Sequence, residues 1–142
     1  MNDHILNDSG MTELLLAAYH GELDWVQNCI NAGSDVHARC NSGMTPLHWV
    51  VDMGIVGECS EREAIVTLLI VSKADINAVD NTSESIVARS VAAGNAKLTQ
   101  LLIKAGADVN KADNKGVKPL NIANNNDDVM HIELLLKAGA NP

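Results

Sequence analysis

Apolar residues recur along the chain at three- and four-residue spacing, in short runs that polar turns separate. Four such runs span residues 25–30, 65–70, 98–103 and 132–136. Such spacing predicts amphipathic helices. A shorter helix is predicted before each of them, most clearly at Thr45, whose hydroxyl can cap a helix, and Pro46, which suits the first helical position. The pattern therefore predicts a series of helix pairs.

Similar turn sequences follow the helix pairs at a nearly constant distance. Asp75 and Asp108 show the same 33-residue spacing as Gly106 and Gly139, whereas the spacing from Asp35 to Asp75 is seven positions longer. A 33-residue period with one seven-residue insertion explains all three distances. One helix pair of this size cannot bury its apolar faces, so the pairs are expected to stack.

These repeated motifs resemble the ankyrin repeat. The resemblance depends on the period, on Thr45-Pro46-Leu47-His48, and on the segment Leu-Leu-Ile-Lys-Ala-Gly-Ala-Asp-Val-Asn at 101–110. It implies an all-α ankyrin-repeat solenoid of stacked helix-turn-helix units with short, hairpin-like turn tips, in a single domain over residues 1–142. The repeats are expected at about 7–39, 40–79, 80–112 and 113–142, with the insertion near 55–61.

The third and fourth repeats depart from the family's pattern. In the third, Ser83, Ser85, Ile86 and Ala88 replace the glycine, threonine, proline and histidine of the motif. Lys73 takes a helix-ending glycine position, where a left-handed backbone should cost about 1 kcal/mol. We therefore expect local fraying around residues 73–90. The fourth repeat is polar over 121–127, as expected where a terminal repeat protects its outer face, so that four repeats would complete the array.

The negative charge is concentrated in the first half of the chain. Of the net charge of −8, all belongs to residues 1–71, which hold ten acids and two arginines, whereas residues 72–142 hold eight of each sign. This balance and the presence of only three aromatic residues argue against nucleic-acid binding. No apolar stretch is long enough to span a membrane and no secretory signal is visible, so a cytoplasmic location is expected.

The residues that could carry catalytic chemistry are scattered. The five histidines show no metal-ligand spacing and no phosphate-binding loop occurs, so we expect no enzymatic activity, no metal and no cofactor. The resemblance implies that His48 ties adjacent turns together by hydrogen bonds. Among the cysteines, Cys29 is expected in the core, and Cys40 and Cys59 fall in predicted loops as candidates for exposed thiols.

The resemblance also implies a concave groove, lined by turn tips and first helices, that binds a protein. Tyr19 and three methionines are expected to serve there as apolar anchors beside acids, although solvated turns are the alternative. Trp49 is expected to pack as framework. Carried over by position, the partner-binding residues are Asp8, Met11, Tyr19, His20, Arg39, Asn41, Met44, Asp52, Met53, Asn81, Glu84 and Asn114.

The expected function is that of a non-catalytic protein–protein interaction module that is monomeric when unbound. One alternative is an acidic inhibitor, of the immunity or antitoxin type, that neutralises a basic partner such as a toxin or nuclease. Another is a structural adaptor in a larger assembly. The insertion, which includes the apolar Ile55 and Val56, is interpreted either as a recognition loop or as an extended helix with a tolerated loop.

Overall fold

Eight α-helices make up the regular structure of the residues that the computed structural model describes, 10–52 and 59–142. They occur as four successive pairs. In chain order they are α1 Glu13–His20, α2 Leu23–Asn31, α3 Pro46–Asp52, α4 Cys59–Val71, α5 Ile86–Ala93, α6 Ala96–Lys104, α7 Pro119–Asn125 and α8 Val129–Lys137.

The helices form two layers. The first helices of the pairs pack in the order α1, α3, α5, α7, the second helices pack in the order α2, α4, α6, α8, and each first helix contacts its own second helix. One continuous core joins the layers, because each repeat contributes equivalent buried residues. Burying an aliphatic side chain contributes about 1.5–3 kcal/mol. The core includes Leu14, Leu47, Val87 and Leu120 from the first helices and Cys29, Leu69, Leu102 and Leu135 from the second.

The helix boundaries follow the period found in the sequence. The second helices end at residues 31, 71, 104 and 137, so the last two intervals equal the period and the first is seven positions longer. Helix α4, however, has 13 residues where α2, α6 and α8 have nine. The additional turn is at its N-terminus, so residues 59–61 of the expected insertion belong to a helix. The remainder of that segment, with Ile55 and Val56, lies outside the described residues.

Three residues other than glycine adopt a left-handed backbone, among the described residues. They are Lys73 (φ 74°), Ser83 (φ 63°) and Asp127 (φ 51°). Each occupies a position at which other repeats have glycine with positive φ, such as Gly106 for Lys73 and Gly43 for Ser83. The left-handed conformation expected at Lys73 is thus confirmed. Fraying around 73–90 stays a prediction.

A buried arginine joins the first two repeats. The side chain of Arg62, on the additional part of α4, is 4% exposed. Its Nη1 donates to the Val50 carbonyl at 2.9 Å, and its Nη2 lies 3.5 Å from the Tyr19 carbonyl. Both carbonyls are in the last turns of helices, where unpaired oxygens attract cations. A Cβ at Gly21 would lie 2.8 Å from the guanidinium, so glycine is required there both for this contact and for its φ of 69°.

Candidate protein-binding surface

Three turn tips project between the helix pairs, at residues 40–44, 80–84 and 113–117. Each tip is closed by two backbone hydrogen bonds with lengths of 2.9–3.1 Å. In one, the first residue of the tip donates to the last, from Cys40 to Met44, Asp80 to Glu84 and Asp113 to Val117. In the other, the fourth residue donates back to the first, from Gly43 to Cys40, Ser83 to Asp80 and Gly116 to Asp113. In the last two tips an aspartate also accepts backbone N–H groups with its side chain: Asp80 from Thr82 and Glu84, and Asp113 from Lys115 and Val117. The tips are therefore rigid although they are irregular.

Backbone hydrogen bonds also connect each tip to the next. The Asn81 N–H donates to the Ser42 carbonyl at 3.0 Å, and the Asn114 N–H donates to the Thr82 carbonyl at 2.9 Å. The tips approach so closely that a Cβ at Gly43 would lie 2.4 Å from Asn81 Oδ1. Asn41, Asn81 and Asn114, all predicted binding residues, are exposed along this row. They form a continuous polar edge, which we call the tip row.

Arg39 lies beside the tip row and is held by backbone acceptors. The residue is exposed, and its Nη1 donates to the carbonyls of Gly43 and Val79. Because Val79 adjoins the tip at 80–84, this predicted binding residue bridges from the tip at 40–44 to the tip at 80–84. Its guanidinium is thereby fixed in place between these two tips.

Four charged side chains form a cluster behind the tip row. The Arg89 guanidinium contacts Asp52 Oδ1 at 2.6 Å, Asp80 Oδ2 at 3.2 Å and Glu84 Oε1 at 3.2 Å. Burial raises the pKa of Glu84, and the nearby carboxylates of Asp80, Asp113 and Asp52 raise it further against the opposing effect of Arg89. Three carboxylates share one guanidinium, so the cluster is acidic.

Two members of this acidic cluster were predicted and two were not. Asp52 and Glu84 are among the predicted binding residues, and the structure brings them together through Arg89. Asp80 could have been found by its 33-residue spacing from Asp113. No sequence signal identifies Arg89, because its partner Asp52 lies 37 residues away across the interrupted period.

The aromatic residues of the chain gather where α1, α2 and α3 meet. Tyr19 contacts His20 and Trp49 edge-on, with ring centroids 5.1 and 5.4 Å apart, and His20 stacks on Trp25 at 5.9 Å. His20 is exposed, whereas the other three are half-buried. Trp49 packs against the main core and also against a smaller apolar cluster beneath the tip at 40–44, as the sequence predicts. Trp25, whose indole N–H donates to Glu13 Oε1 at 3.1 Å, was not among the predicted binding residues.

Two of the predicted methionine anchors are buried. Met11 and Met44 are each 5% exposed and form a small core with Leu15 and Cys40, against which Tyr19 and Trp49 pack. The expectation that these methionines present exposed anchors is therefore wrong. Their flexible side chains fold inward and fill the space beneath the tips, leaving Tyr19 partly accessible above them. Asp8 and Met53, also predicted binding residues, lie outside the described residues.

Cys40 is buried as well, which overturns the expectation of an exposed thiol. It is 7% exposed, and its Sγ lies 3.0 Å from Ser42 Oγ. Burial raises the pKa of this thiol, but hydrogen bonds from the Ser42 side chain and from the Ser42 and Met44 backbone outweigh that effect and lower it. Cys40 thus takes the place that Asp80 and Asp113 have in the next two tips. Cys29 is 1% exposed in the core, as predicted.

His48 is fully buried at the base of the tip at 40–44. Its Nδ1 accepts the Thr45 N–H at 3.1 Å, which leaves Nε2 to carry the proton and donate to the Glu84 carbonyl at 3.3 Å. Burial lowers the pKa of His48 to about 4. The neutral ring joins two successive repeats, so the structural role predicted for His48 is confirmed.

Neither a metal site nor a membrane-spanning helix is found in the described parts of the chain. No group of three or more His, Cys, Asp or Glu side chains there could hold a metal ion. None of the helices formed by residues 10–52 and 59–142 has the length and apolar character needed to cross a membrane.

Comparison with known proteins agrees with the architecture. A family model described as ankyrin repeats in three copies matches residues 1–80 and 56–142, and so covers the chain. A curated relative, acyl-CoA-binding domain-containing protein 4 from Oryza sativa subsp. japonica, is 40% identical over 48 residues. That match spans 34% of this chain and 14% of the relative. The family resemblance and the all-α ankyrin solenoid predicted from the sequence are thus confirmed.

Proposed function

Because the chain belongs to the ankyrin-repeat family, we propose that it is a non-catalytic module that binds a protein through the concave groove lined by its turn tips and first helices. Ankyrin repeats generally act as protein–protein interaction modules. The tip row is the observation that carries the proposal, because adjacent tips are hydrogen-bonded to one another and hold exposed side chains in fixed positions. A preorganised surface loses little conformational entropy on binding.

We further propose that the partner is basic where it meets the first two repeats. The acidic cluster around Arg89 and the excess of acids in residues 1–71 support this proposal. Complementary charge accelerates association and favours one class of partner over others. In this view one chain binds one partner, and the unbound chain is a monomer at the concentrations at which that partner binds. The binding residues are those of the sequence prediction, without Met11 and Met44 as exposed anchors.

An inhibitor of a basic toxin or nuclease is the more specific form of this proposal, and the charge distribution supports it. A structural adaptor would bind instead through apolar contacts near Tyr19, with little electrostatic contribution. A cytoplasmic location is part of the proposal, since Cys40 is a free thiol and such a thiol suits a reducing compartment.

The test begins by isolating the partner from the native cell by affinity capture, and then measures binding of the purified partner by calorimetry. We expect Asn114→Arg, which adds a positive charge to the tip row, to weaken binding about tenfold or more. Gln100→Arg is the matched control, because it adds the same charge at an exposed position on α6, away from the tips. Equal affinities for the two variants would contradict binding at the tips.

The inhibitor and the adaptor differ in their response to salt and to substitution. Binding driven by the acidic surface should weaken about tenfold between low and physiological ionic strength, whereas apolar binding should change little. For an adaptor, Tyr19→Ala should abolish binding while neutralising Asp8 and Asp52 has little effect. An affinity that is indifferent to salt would rule out the inhibitor.

A further inference from the structure

The two helices of the last repeat differ at the outer end of the array. In α7, Asn121 and Asn124 are exposed at positions that are buried in every preceding repeat. The asparagines make this part of the end polar, as the sequence predicts for a terminal repeat. The buried equivalents are Leu15, His48 and Ala88 for Asn121, and Ala18, Val51 and Val91 for Asn124.

The outward face of helix α8, unlike that of α7, is still largely apolar. On α6, Ala96 and Gln100 line the cleft toward α8, and the Thr99 hydroxyl contacts His131 Nε2 of α8 at 3.0 Å. The α8 residues one period later, which occupy the corresponding outward face, are Val129, Ile132 and Glu133, with Leu136 one turn further on. We call these four residues the terminal face of α8. Val129 is 65% exposed, Leu136 is 44% exposed and Ile132 is half-buried.

An apolar stripe beside a polar helix limits what can cover this end. Another ankyrin repeat would bury positions 121 and 124 as well as α8, and burying an asparagine without hydrogen-bond partners is costly. A single helix would cover the terminal face and leave the asparagines in water. The shape of the apolar surface therefore favours one added helix over an added repeat.

Charge favours a second copy of the chain as the source of that helix. Residues 72–142 carry equal numbers of acids and bases, whereas residues 1–71 carry the whole net charge. Two copies that meet through their fourth repeats keep their acidic repeats at opposite ends. We propose that the chain self-associates through the terminal faces of two α8 helices, packed antiparallel about a twofold axis.

The residue spacing on α8 suits this antiparallel arrangement. With the axis between Ile132 and Glu133, Val129 of one copy lies opposite Leu136 of the other. Glu133 lines the cleft toward α6 and lies at the edge of the terminal face. The two Glu133 side chains come near each other close to the axis, where their like charges oppose association. One helix face is smaller than a standard interface, so the dimer is weak and forms at high protein concentration.

The test is sedimentation equilibrium of the full chain from about 5 to about 500 µM, in the range expected for a small interface. We expect a monomer–dimer equilibrium in this range. Val129→Lys and Leu136→Lys should each weaken it at least about tenfold, because a charge is then buried against an aliphatic side chain. Met130→Lys is the matched control, since Met130 is 66% exposed in the same turn of α8 but lines the cleft toward α6.

Glu133→Gln tests the geometry in the opposite direction. Removing the like charges near the axis should strengthen the dimer several-fold at low salt, and the difference should shrink as salt rises. Thermal unfolding monitored by circular dichroism verifies that each variant is folded. The proposal is overturned if the protein is monomeric throughout, if Val129→Lys leaves the dimer unchanged, or if Glu133→Gln does not strengthen it. A monomer would leave the terminal face for a helix of another protein.

Discussion

At the scale of single residues, His48 shows how one buried side chain can link stability to pH. Its neutral ring is held by Thr45 and Glu84, and its pKa in the folded protein is about 4, below the value of about 6.5 in an unfolded chain. Between these values the unfolded state binds more protons than the folded state. The contribution of His48 is therefore fully present above about pH 6.5 and is lost as pH falls toward 4.

We expect the free energy of unfolding to drop by roughly 3 kcal/mol from this residue over that pH range. The measurement is urea unfolding at several pH values between about 7 and about 4, for the native protein and for His48→Gln. Glutamine can still accept the Thr45 N–H and donate to the Glu84 carbonyl, but it does not titrate. If the two proteins lose stability in parallel as pH falls, His48 is not the group responsible.

Lys73 gives a second prediction at this scale. Its φ of 74° places it where Gly106, the equivalent residue of the next repeat, has a φ of 95°. Lys73→Gly should raise the free energy of unfolding by about 1 kcal/mol, since it removes the strain of a left-handed backbone that carries a Cβ. Chemical denaturation of the purified variant measures this change.

The reverse substitution provides the control for Lys73. A Cβ at Gly106 would meet no atom within 4 Å, so Gly106→Lys changes backbone strain without introducing a clash. It should lower the free energy of unfolding by a similar amount, about 1 kcal/mol. Stability changes of the same sign in the two variants would show that backbone strain does not govern these positions.

The sequence predicts these backbone conformations better than it predicts where side chains point. Lys73, Ser83 and Asp127 are recognisable because the 33-residue period aligns them with glycines. Met11 and Met44 are aligned equally well, but alignment gives the position of a residue in the repeat and not the direction of a long, flexible side chain. Their burial depends on the room beneath the tips, which Leu15 and Cys40 help to enclose.

At the scale of the elements, α4 gains a turn that the other second helices lack. That turn carries Arg62, whose guanidinium lies against the last turns of α1 and α3. The period locates the insertion but gives no indication of this contact, because Tyr19 and Arg62 are 43 residues apart and the insertion interrupts the register between them. From sequence alone, an arginine in an acidic segment is expected at the surface, and only the fold shows that it is enclosed.

We expect Arg62→Met to lower the free energy of unfolding by about 2–3 kcal/mol, because helix-terminal carbonyls lose a charged donor while the apolar volume is kept. Urea unfolding measures the loss. The free energy of unfolding of Arg62→Lys should fall between those of the native protein and of Arg62→Met, since an ammonium keeps the charge but lacks the planar fork that reaches two carbonyls. A stable Arg62→Met variant would show that the additional turn of α4 is independent of α1 and α3.

At the scale of the whole molecule, the order of stacking follows from the period, but the coupling between repeats depends on contacts that the sequence does not reveal. In a repeat array each unit contacts only its neighbours, so cooperativity depends on the strength of each junction. Arg89 lies at the junction of the second and third repeats, where it holds Asp52 on α3 together with Asp80 and Glu84 in the next tip. Lys73 at the end of the second repeat and Ser83 at the start of the third, both with strained backbones, lie on the two sides of the same junction.

Arg89→Met should therefore weaken this junction more than any other. The substitution leaves three neighbouring carboxylates without their counter-charge, and we expect a loss of about 2 kcal/mol near neutral pH. Native-state hydrogen exchange should then show amides over residues 73–90 opening at lower free energy than those of α1 and of α8.

The response of this junction to acid should also change. In Arg89→Met, mild acid should partly restore the junction, because the carboxylates become neutral when they bind protons. In the native protein acid should instead weaken it, because the pKa of Asp80 is lowered in the folded state. Lys97→Met removes one positive charge from an exposed site on α6 and is the matched control. Uniform loss of protection along the whole array in Arg89→Met would show that the four repeats unfold as one unit and that this junction is not its weak point.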